Sequence, residues 1–225
     1  MIEQAIILAD GPTGARAALD AAWPGWCLAD PYVVAADGGA RHARDLELRI
    51  HRWVGDGDSL GEAGITALEA EGVPVDRARV DKDESDTEMA LRTALERGPG
   101  TVVMLGALGG PRLDHALANL ALLLLPELRG IDVRVVAVDA RIRLLDAGDR
   151  PASVELSGRV GDLVTLLPVG SDASGVMTSG LAFPLDRERL LLGRSRGLSN
   201  RRTEPTATIS LEAGRLLVVE TPATL

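Results

Sequence analysis

Residues 32–43 read YVVAADGGARHA. Five residues, Tyr32 to Ala36, run without polar alternation, which marks a short strand covered on both faces rather than one open to water. Asp37 closes the run, and Gly38-Gly39 then opens a segment that reads as helix. Runs of the same kind are AIILAD (5–10), HRWVGD (51–56), TVVMLGAL (101–108) and DVRVVAVD (132–139). Helix-like segments lie between them, such as ESDTEMALRTALERG (84–98) and RLDHALANLALLLLPEL (112–128). Apolar strands alternating with helices predict an α/β fold, an open and mostly parallel sheet with helices on both faces. Asp10, Asp37 and Asp56 end three of the runs. Ligands of such sheets bind beyond the carboxyl ends of the strands, so these carboxylates stand where chemistry is expected.

From about residue 140 the pattern changes. RIRLLDAG, ASVELSGR, DLVTLLPVG, ATISLEAG and RLLVVET are short strands separated by Gly, Pro and Ser. Close spacing and turn residues predict a C-terminal antiparallel β-sandwich. The expected division is an α/β domain over residues 1–140 and a β-sandwich over residues 141–225.

Composition narrows the function. The chain has 225 residues and 46% apolar content, yet aromatics are only 2%, so Ala, Val, Leu and Ile must build the core. Acidic residues outnumber basic ones 33 to 24, for a net charge of −9, which argues against a nucleic-acid binder. One cysteine, Cys27, excludes an internal disulfide and a Cys-based zinc site, and suits a reducing, cytoplasmic setting. The opening MIEQAIILAD has no basic region and does not read as a signal peptide. The run LANLALLLLPEL (117–128) is too short for a membrane span, which needs about 20 apolar residues, and reads as a buried helix.

Four motifs carry chemistry. In VGDGDSL (54–60), Asp56 and Asp58 repel each other unless a cation sits between them, and carboxylate oxygens suit Mg²⁺. Gly57 permits the sharp turn, and Ser59 is placed to cap the following helix or to meet a phosphate. The plainer reading is a surface Asp-Gly-Asp turn. The stretch also looks like the late acidic motif of haloacid-dehalogenase phosphatases, but those need an Asp-x-Asp after the first strand, where this chain has LADGPTG. In DKDESDTEMAL (81–91), Ser85 or Asp86 is placed to cap the helix, with Glu88 completing a capping box from Ser85, which leaves Asp81, Lys82 and Asp83 unexplained. A metal-bound polyphosphate accounts for them. In LGALGGPRLDHALANL (105–120), Gly106, Gly109 and Gly110 follow a strand and precede a helix, the setting for backbone N–H groups that approach phosphate. Arg112 offers a fork to phosphate oxygens, and Asp114 and His115 fall in the helix's first turn. It is neither a Walker A loop nor a dinucleotide fingerprint. In the β half, Phe183 and the GLSN of residues 197–200 suggest a ring stacked on Phe183 and hydrogen-bonded by Ser199 and Asn200.

Taken in order, the motifs ADGGA, GDGDS, KDESDTEMAL, GALGGPRLDH and GLSN resemble those of the thiamine pyrophosphokinase family, over about residues 5–220. The resemblance implies an α/β nucleotide half and a β-sandwich half. It also implies Mg²⁺-dependent transfer of a pyrophosphoryl group from ATP to thiamine, releasing AMP. On that basis Asp37, Asp56, Asp58 and Asp86 are expected to hold Mg²⁺, with Asp86 or Asp58 as proton acceptor. Lys82 and Arg112 would stabilise the transferring group. Asp37, Gly38, Gly39, Ser59, Thr87, Gly109, Gly110, Arg112, Asp114 and His115 would bind ATP. Phe183, Ser199 and Asn200 would bind thiamine, and the chain would work as a homodimer. Gly57 stands where the family has a bulky residue, Pro111 adds a residue to the Gly-Gly-Arg motif, and Phe183 stands where Trp or Tyr is common. Two alternatives are a pyrophosphokinase acting on a pterin-like heterocycle and a nucleotide-binding sensor without turnover.

Overall fold

The computed structural model describes residues 1–79 and 83–223. The chain divides into two compact units, Met1–Val138 and Asp139–Leu225.

The first unit contains strands β1 (Ile2–Leu8), β2 (Tyr32–Ala36), β3 (Arg52–Gly55), β4 (Val75–Arg77), β5 (Pro99–Leu105) and β6 (Asp132–Ala137). Its helices are α1 (Arg16–Ala22), α2 (His42–Asp45), α3 (Gly61–Ala70), α4 (Asp86–Leu95) and α5 (Leu113–Ala121). The strands pair in parallel in the order β6-β5-β1-β2-β3-β4. Alternation along the strands sends side chains to opposite faces. Ile6, Leu8, Val33, Ala35, Trp53, Val103 and Leu105 share a core with Leu19 of α1, Ala43 of α2 and Ile65 of α3. On the opposite face, α4 packs over β1, β2 and β3 and buries Ala90, Leu91 and Ala94. The order β5-β1-β2 places a topological switch between β1 and β5, because the chain leaves these neighbours toward opposite edges.

Two details depart from the sequence pattern. Strand β4 is three residues long and carries Asp76 and Arg77, so no apolar run announces it. The apolar stretch after Arg112 is not one buried helix. Helix α5 stops at Ala121, two 3₁₀ turns follow (Leu122–Leu124 and Pro126–Leu128), and Pro126 enforces the break. Leu113 and Leu117 are exposed, and Asn119 is the buried residue of α5. Among the described residues, no helix is long and apolar enough to cross a membrane.

The second unit contains β7 (Ala140–Asp146), β8 (Ala152–Ser157), β9 (Leu163–Pro168), β10 (Ala173–Ser179), β11 (Glu188–Leu190), β12 (Asn200–Arg201), β13 (Thr206–Leu211) and β14 (Arg215–Thr221). They form two antiparallel sheets, β12-β9-β14-β7 and β11-β10-β13-β8. The inner faces meet in a core of Leu156, Val164, Leu166, Val176, Ile209, Leu216 and Val218. One buried polar network crosses this unit. Glu220 accepts hydrogen bonds from Arg141 Nε and Nη2 (2.7 and 2.8 Å) and from Arg202 Nη2 (2.7 Å). Arg202 Nη1 also donates to Leu156 O at 2.8 Å. Buried charges persist only when paired in this way.

Candidate active site

The chemistry-bearing residues of the first unit gather at the carboxyl ends of its strands. Strand β2 ends at Ala36, and the chain tightens at once into a 3₁₀ turn, Asp37–Arg41. Asp37 takes a left-handed backbone (φ 42°), a conformation costing about 1–2 kcal/mol for most residues and best tolerated by Asn, Asp and Gly. Gly38 and Gly39 are required by packing. A Cβ on Gly38 would lie 2.2 Å from Asp10 Oδ1, and one on Gly39 would lie 2.0 Å from the carbonyl of Leu8. The glycine pair thus admits the end of β1.

The Asp37 side chain is buried, 3% exposed. Its Oδ2 accepts from the Ser59 amide and its Oδ1 from the Leu60 amide, both at 3.0 Å. The loop after β3 is therefore folded onto Asp37. Within that loop, Asp56 Oδ1 accepts from the Asp58 amide at 3.1 Å, and Ser59 Oγ donates to Asp58 Oδ1 at 3.2 Å. Gly57 makes the turn at φ 86°. Ser59 spends its groups on this loop, and α3 begins without a side-chain cap, so the capping role does not fall to it.

These contacts bring one oxygen each of Asp37, Asp56 and Asp58 within 4.8 Å of one another. Burial pushes the Asp37 carboxyl up from its ordinary value; the Ser59 and Leu60 amides pull against this, and a hydrogen bond with Asp58 and the charge of Asp86 add to it. A hydrogen bond with Asp37 holds Asp58 below the ordinary carboxylate value, with help from the Ser59 hydroxyl. Three hard oxygen donors with one carboxyl driven toward neutrality fit a divalent cation such as Mg²⁺.

Asp86 opens α4, whose N-cap Ser85 accepts from the Glu88 amide at 3.1 Å. The Glu88 carboxylate meanwhile takes Arg92 Nε and Nη2 at 3.2 and 3.0 Å. Asp86 acts on Asp37 through its charge and is not one of the three clustered oxygens. Thr87, next to it, is buried. Asp81 and Lys82 lie outside the described residues.

On the other side of β1, the loops after β1 and β5 cross in backbone contact. The Gly11 amide donates to Gly106 O at 2.9 Å, and a Cβ on Gly106 would sit 2.2 Å from Ala9 O. Gly109 and Gly110 continue this loop with φ 77° each. Asn119 Nδ2 donates to Ala107 O at 3.0 Å and ties the loop to α5. Arg112 forks onto Asp114 through Nε and Nη2 at 3.0 and 2.6 Å. That pair holds the Asp114 carboxyl down at about 2. His115 is exposed beside it.

In the second unit, Phe183 is 65% exposed. The Asn200 side chain clamps its main chain, accepting from Phe183 N at 3.0 Å and donating to Phe183 O at 2.6 Å. Ser199 turns at φ 55°, its amide donating to Thr165 Oγ1 at 2.9 Å. Asn200 therefore fixes the main chain that carries the Phe183 ring.

Three residues escaped the sequence. Arg41 donates to Asp10 Oδ1 at 3.1 Å and to Ser59 O. Trp53 Nε1 donates to Asp37 O at 3.0 Å. Asn119 is the third. The one legible hint was Asn119's standing as the sole polar residue within LANLALLLL.

A parallel α/β unit with clustered carboxylates at its strand ends is a fold and site suited to metal-assisted phosphate chemistry. Comparison with known proteins makes this specific. The family model of the thiamin pyrophosphokinase catalytic domain matches residues 27–135, and that of the thiamin pyrophosphokinase vitamin B1 binding domain matches residues 153–216. The chain belongs to the thiamine pyrophosphokinase family. It is 26% identical over 165 residues to thiamine pyrophosphokinase of Bacillus subtilis (strain 168), covering 73% of this chain and 75% of the relative. The crystal structure of the Bacillus subtilis enzyme aligns with a TM-score of 0.81 at 24% identity, over 97% of this chain and 99% of that one. That of the Geobacillus thermodenitrificans protein aligns at 0.80 and 23%, over 100% and 99%. The yeast enzyme aligns at 0.71 and 15%, over 98% and 86%. At these identities the structural likeness is one of fold.

Proposed function

We infer that this chain transfers the pyrophosphoryl group of ATP to the hydroxyl of thiamine, giving thiamine diphosphate and AMP. The observation that carries this is the match of both family domains, in order, to the two units of the chain. The thiamine hydroxyl oxygen bonds to the β-phosphorus of ATP, the bond from that phosphorus to the α–β bridging oxygen breaks, and AMP leaves. The first unit binds ATP, and the second binds thiamine.

In this reading Asp37, Asp56, Asp58 and Asp86 hold Mg²⁺, which when bound neutralises phosphate charge and aligns the reacting groups. The close oxygens of Asp37, Asp56 and Asp58 support it. Asp58 or Asp86 accepts the hydroxyl proton. Gly38, Gly39, Ser59, Thr87, Gly109, Gly110, Asp114 and His115 surround the nucleotide, and Lys82 and Arg112 stabilise the transferring group. Arg112 reaches phosphate by leaving Asp114, an exchange of one anionic partner for another. Phe183 stacks on the thiamine ring, and Ser199 and Asn200 bind thiamine beside it, Asn200 also holding the Phe183 main chain. The working form is a cytoplasmic homodimer, consistent with the exposed Phe183, Leu191, Leu192 and Leu198.

The test is product analysis after incubation with ATP, Mg²⁺ and thiamine. AMP and thiamine diphosphate are expected in equal amounts. ADP with thiamine monophosphate would overturn the pyrophosphoryl step, and ATP binding without turnover would overturn the enzyme assignment.

A further inference from the structure

The carboxylate cluster and the glycine loops stand on different strands, and something must hold them in register. Two elements are each tied internally. The loop after β3 is fastened to Asp37 through the Ser59 and Leu60 amides. The loops after β1 and β5 are fastened to each other through Gly11 and Gly106. Arg41 spans the two. One Nη donates to Asp10 Oδ1, beside Gly11, at 3.1 Å. The other donates to the main-chain carbonyl of Ser59, whose amide donates to Asp37. Gly38 leaves the space through which this passes, since a Cβ there would lie 2.2 Å from Asp10 Oδ1 and 2.7 Å from Arg41 Nη1.

We propose that Arg41 is a positioning residue that brackets the acidic loop 56–60 to the end of β1, and so sets the carboxylates against the glycine loops where the polyphosphate lies. The proposal rests on the pyrophosphokinase reading for its kinetic consequence, but not for its structural one. Arg41 acts through its geometry: a planar fork reaches the carboxylate and the carbonyl from two separate nitrogens held in fixed relation, where an ammonium must serve both from one nitrogen. Its distance from the reaction is no bar to a large effect, because a displacement of about 1 Å in a catalytic constellation costs up to ~10²-fold in rate.

The test compares Arg41→Gln, Arg41→Lys, Asp10→Asn and the double variant Asp10→Asn/Arg41→Gln. Amide hydrogen exchange over residues 57–60 is read on the protein alone, so it stands even if the chain proves not to turn over thiamine. About tenfold faster exchange is expected in Arg41→Gln, and unchanged protection overturns the bracket. In turnover, Arg41→Gln is expected to lower kcat about tenfold or more while the KM for ATP moves less than about threefold. Arg41→Lys should fall nearly as far, and Asp10→Asn should add no further loss on the Arg41→Gln background. Full rescue by Lys, or a loss confined to KM and additive with Asp10→Asn, would instead make Arg41 a direct phosphate contact and sink the proposal. Melting temperatures within about 4 °C of wild type, as expected for a half-exposed ion pair, exclude general unfolding as the cause.

Discussion

Trp53 donates its indole N–H to the main-chain carbonyl of Asp37 over 3.0 Å, from a position with no solvent exposure. The bond lies directly under the left-handed turn that aims the Asp37 carboxylate. Trp53→Phe keeps most of the apolar volume and leaves that carbonyl without its donor. The expected cost is about 1–3 kcal/mol of stability, the penalty of an unsatisfied buried acceptor. Urea unfolding measures it, and turnover should fall by more than the small unfolded fraction explains. Unchanged stability and rate would mean that water replaces the indole without consequence.

Asp56→Asn separates charge from geometry. An amide oxygen still accepts from the Asp58 amide, so the loop should hold its shape while one negative donor is lost. Turnover is expected to drop at least ~10²-fold, with the near-ultraviolet circular dichroism of the adjacent Trp53 region unchanged. A variant that keeps most of its activity would remove Asp56 from the cation site.

Gly57 holds φ 86°, and a Cβ there would lie 2.6 Å from Ile65 Cδ1. Gly57→Ala should therefore destabilise the chain by about 1–2 kcal/mol from backbone strain, with a further increment from the contact. Adding Ile65→Val removes the clashing methyl and should restore part, but not all, of the midpoint in thermal unfolding. Equal stability of Gly57→Ala and wild type would show that the turn is not held at this φ.

Asn200→Ala removes both hydrogen bonds to the Phe183 main chain. The ring is then free to wander, and the KM for thiamine should rise about tenfold while the KM for ATP stays put. A rise in both, or in neither, would sever Phe183 from thiamine recognition.

Arg112 lowers the Asp114 carboxyl from 3.8 to about 2, chiefly through their hydrogen bonds. A folded-state value below the unfolded one means that the pair's contribution to stability is full above the unfolded value and is lost as the pH falls toward 2. In Arg112→Gln the Asp114 titration followed by carbon NMR should move up toward 3.8. At neutral pH Asp114 stays ionised either way, so the pH profile of turnover between 6 and 9 should keep its shape. A midpoint unmoved in Arg112→Gln would assign the shift to the helix start instead.

How much of this was legible depends on what each residue does. The acidic motif at 54–60 stood out because two like charges sit beside one glycine at a strand end, and the structure gathers them with Asp37. Apolar runs disclosed β1, β2, β3, β5 and β6. Strand β4 could not be seen, since Asp76 and Arg77 carry it at a sheet edge, where pairing rather than burial decides. The run after Arg112 misled, because Leu content alone predicts burial and cannot say that Leu113 and Leu117 face outward. Arg41 and the buried Arg141–Glu220–Arg202 network were invisible for a shared reason. A charged side chain reads as surface until its partner, far off in sequence, is known. Gly38 and Asn200 stood out as motif residues, but their contacts within the chain, Gly38 against Asp10 and Asn200 against the Phe183 main chain, could not be read, because a sequence shows which groups are available and not what they touch.

The scarcity of aromatic residues has an optical consequence. All three tryptophans and the lone tyrosine belong to residues 1–138, and Phe183 is the only aromatic side chain in residues 139–225. Tryptophan emission is therefore a reporter for one unit, while the other is dark. Following unfolding by emission and by far-ultraviolet dichroism in the same sample would tell directly whether the two units melt as one cooperative body or in sequence.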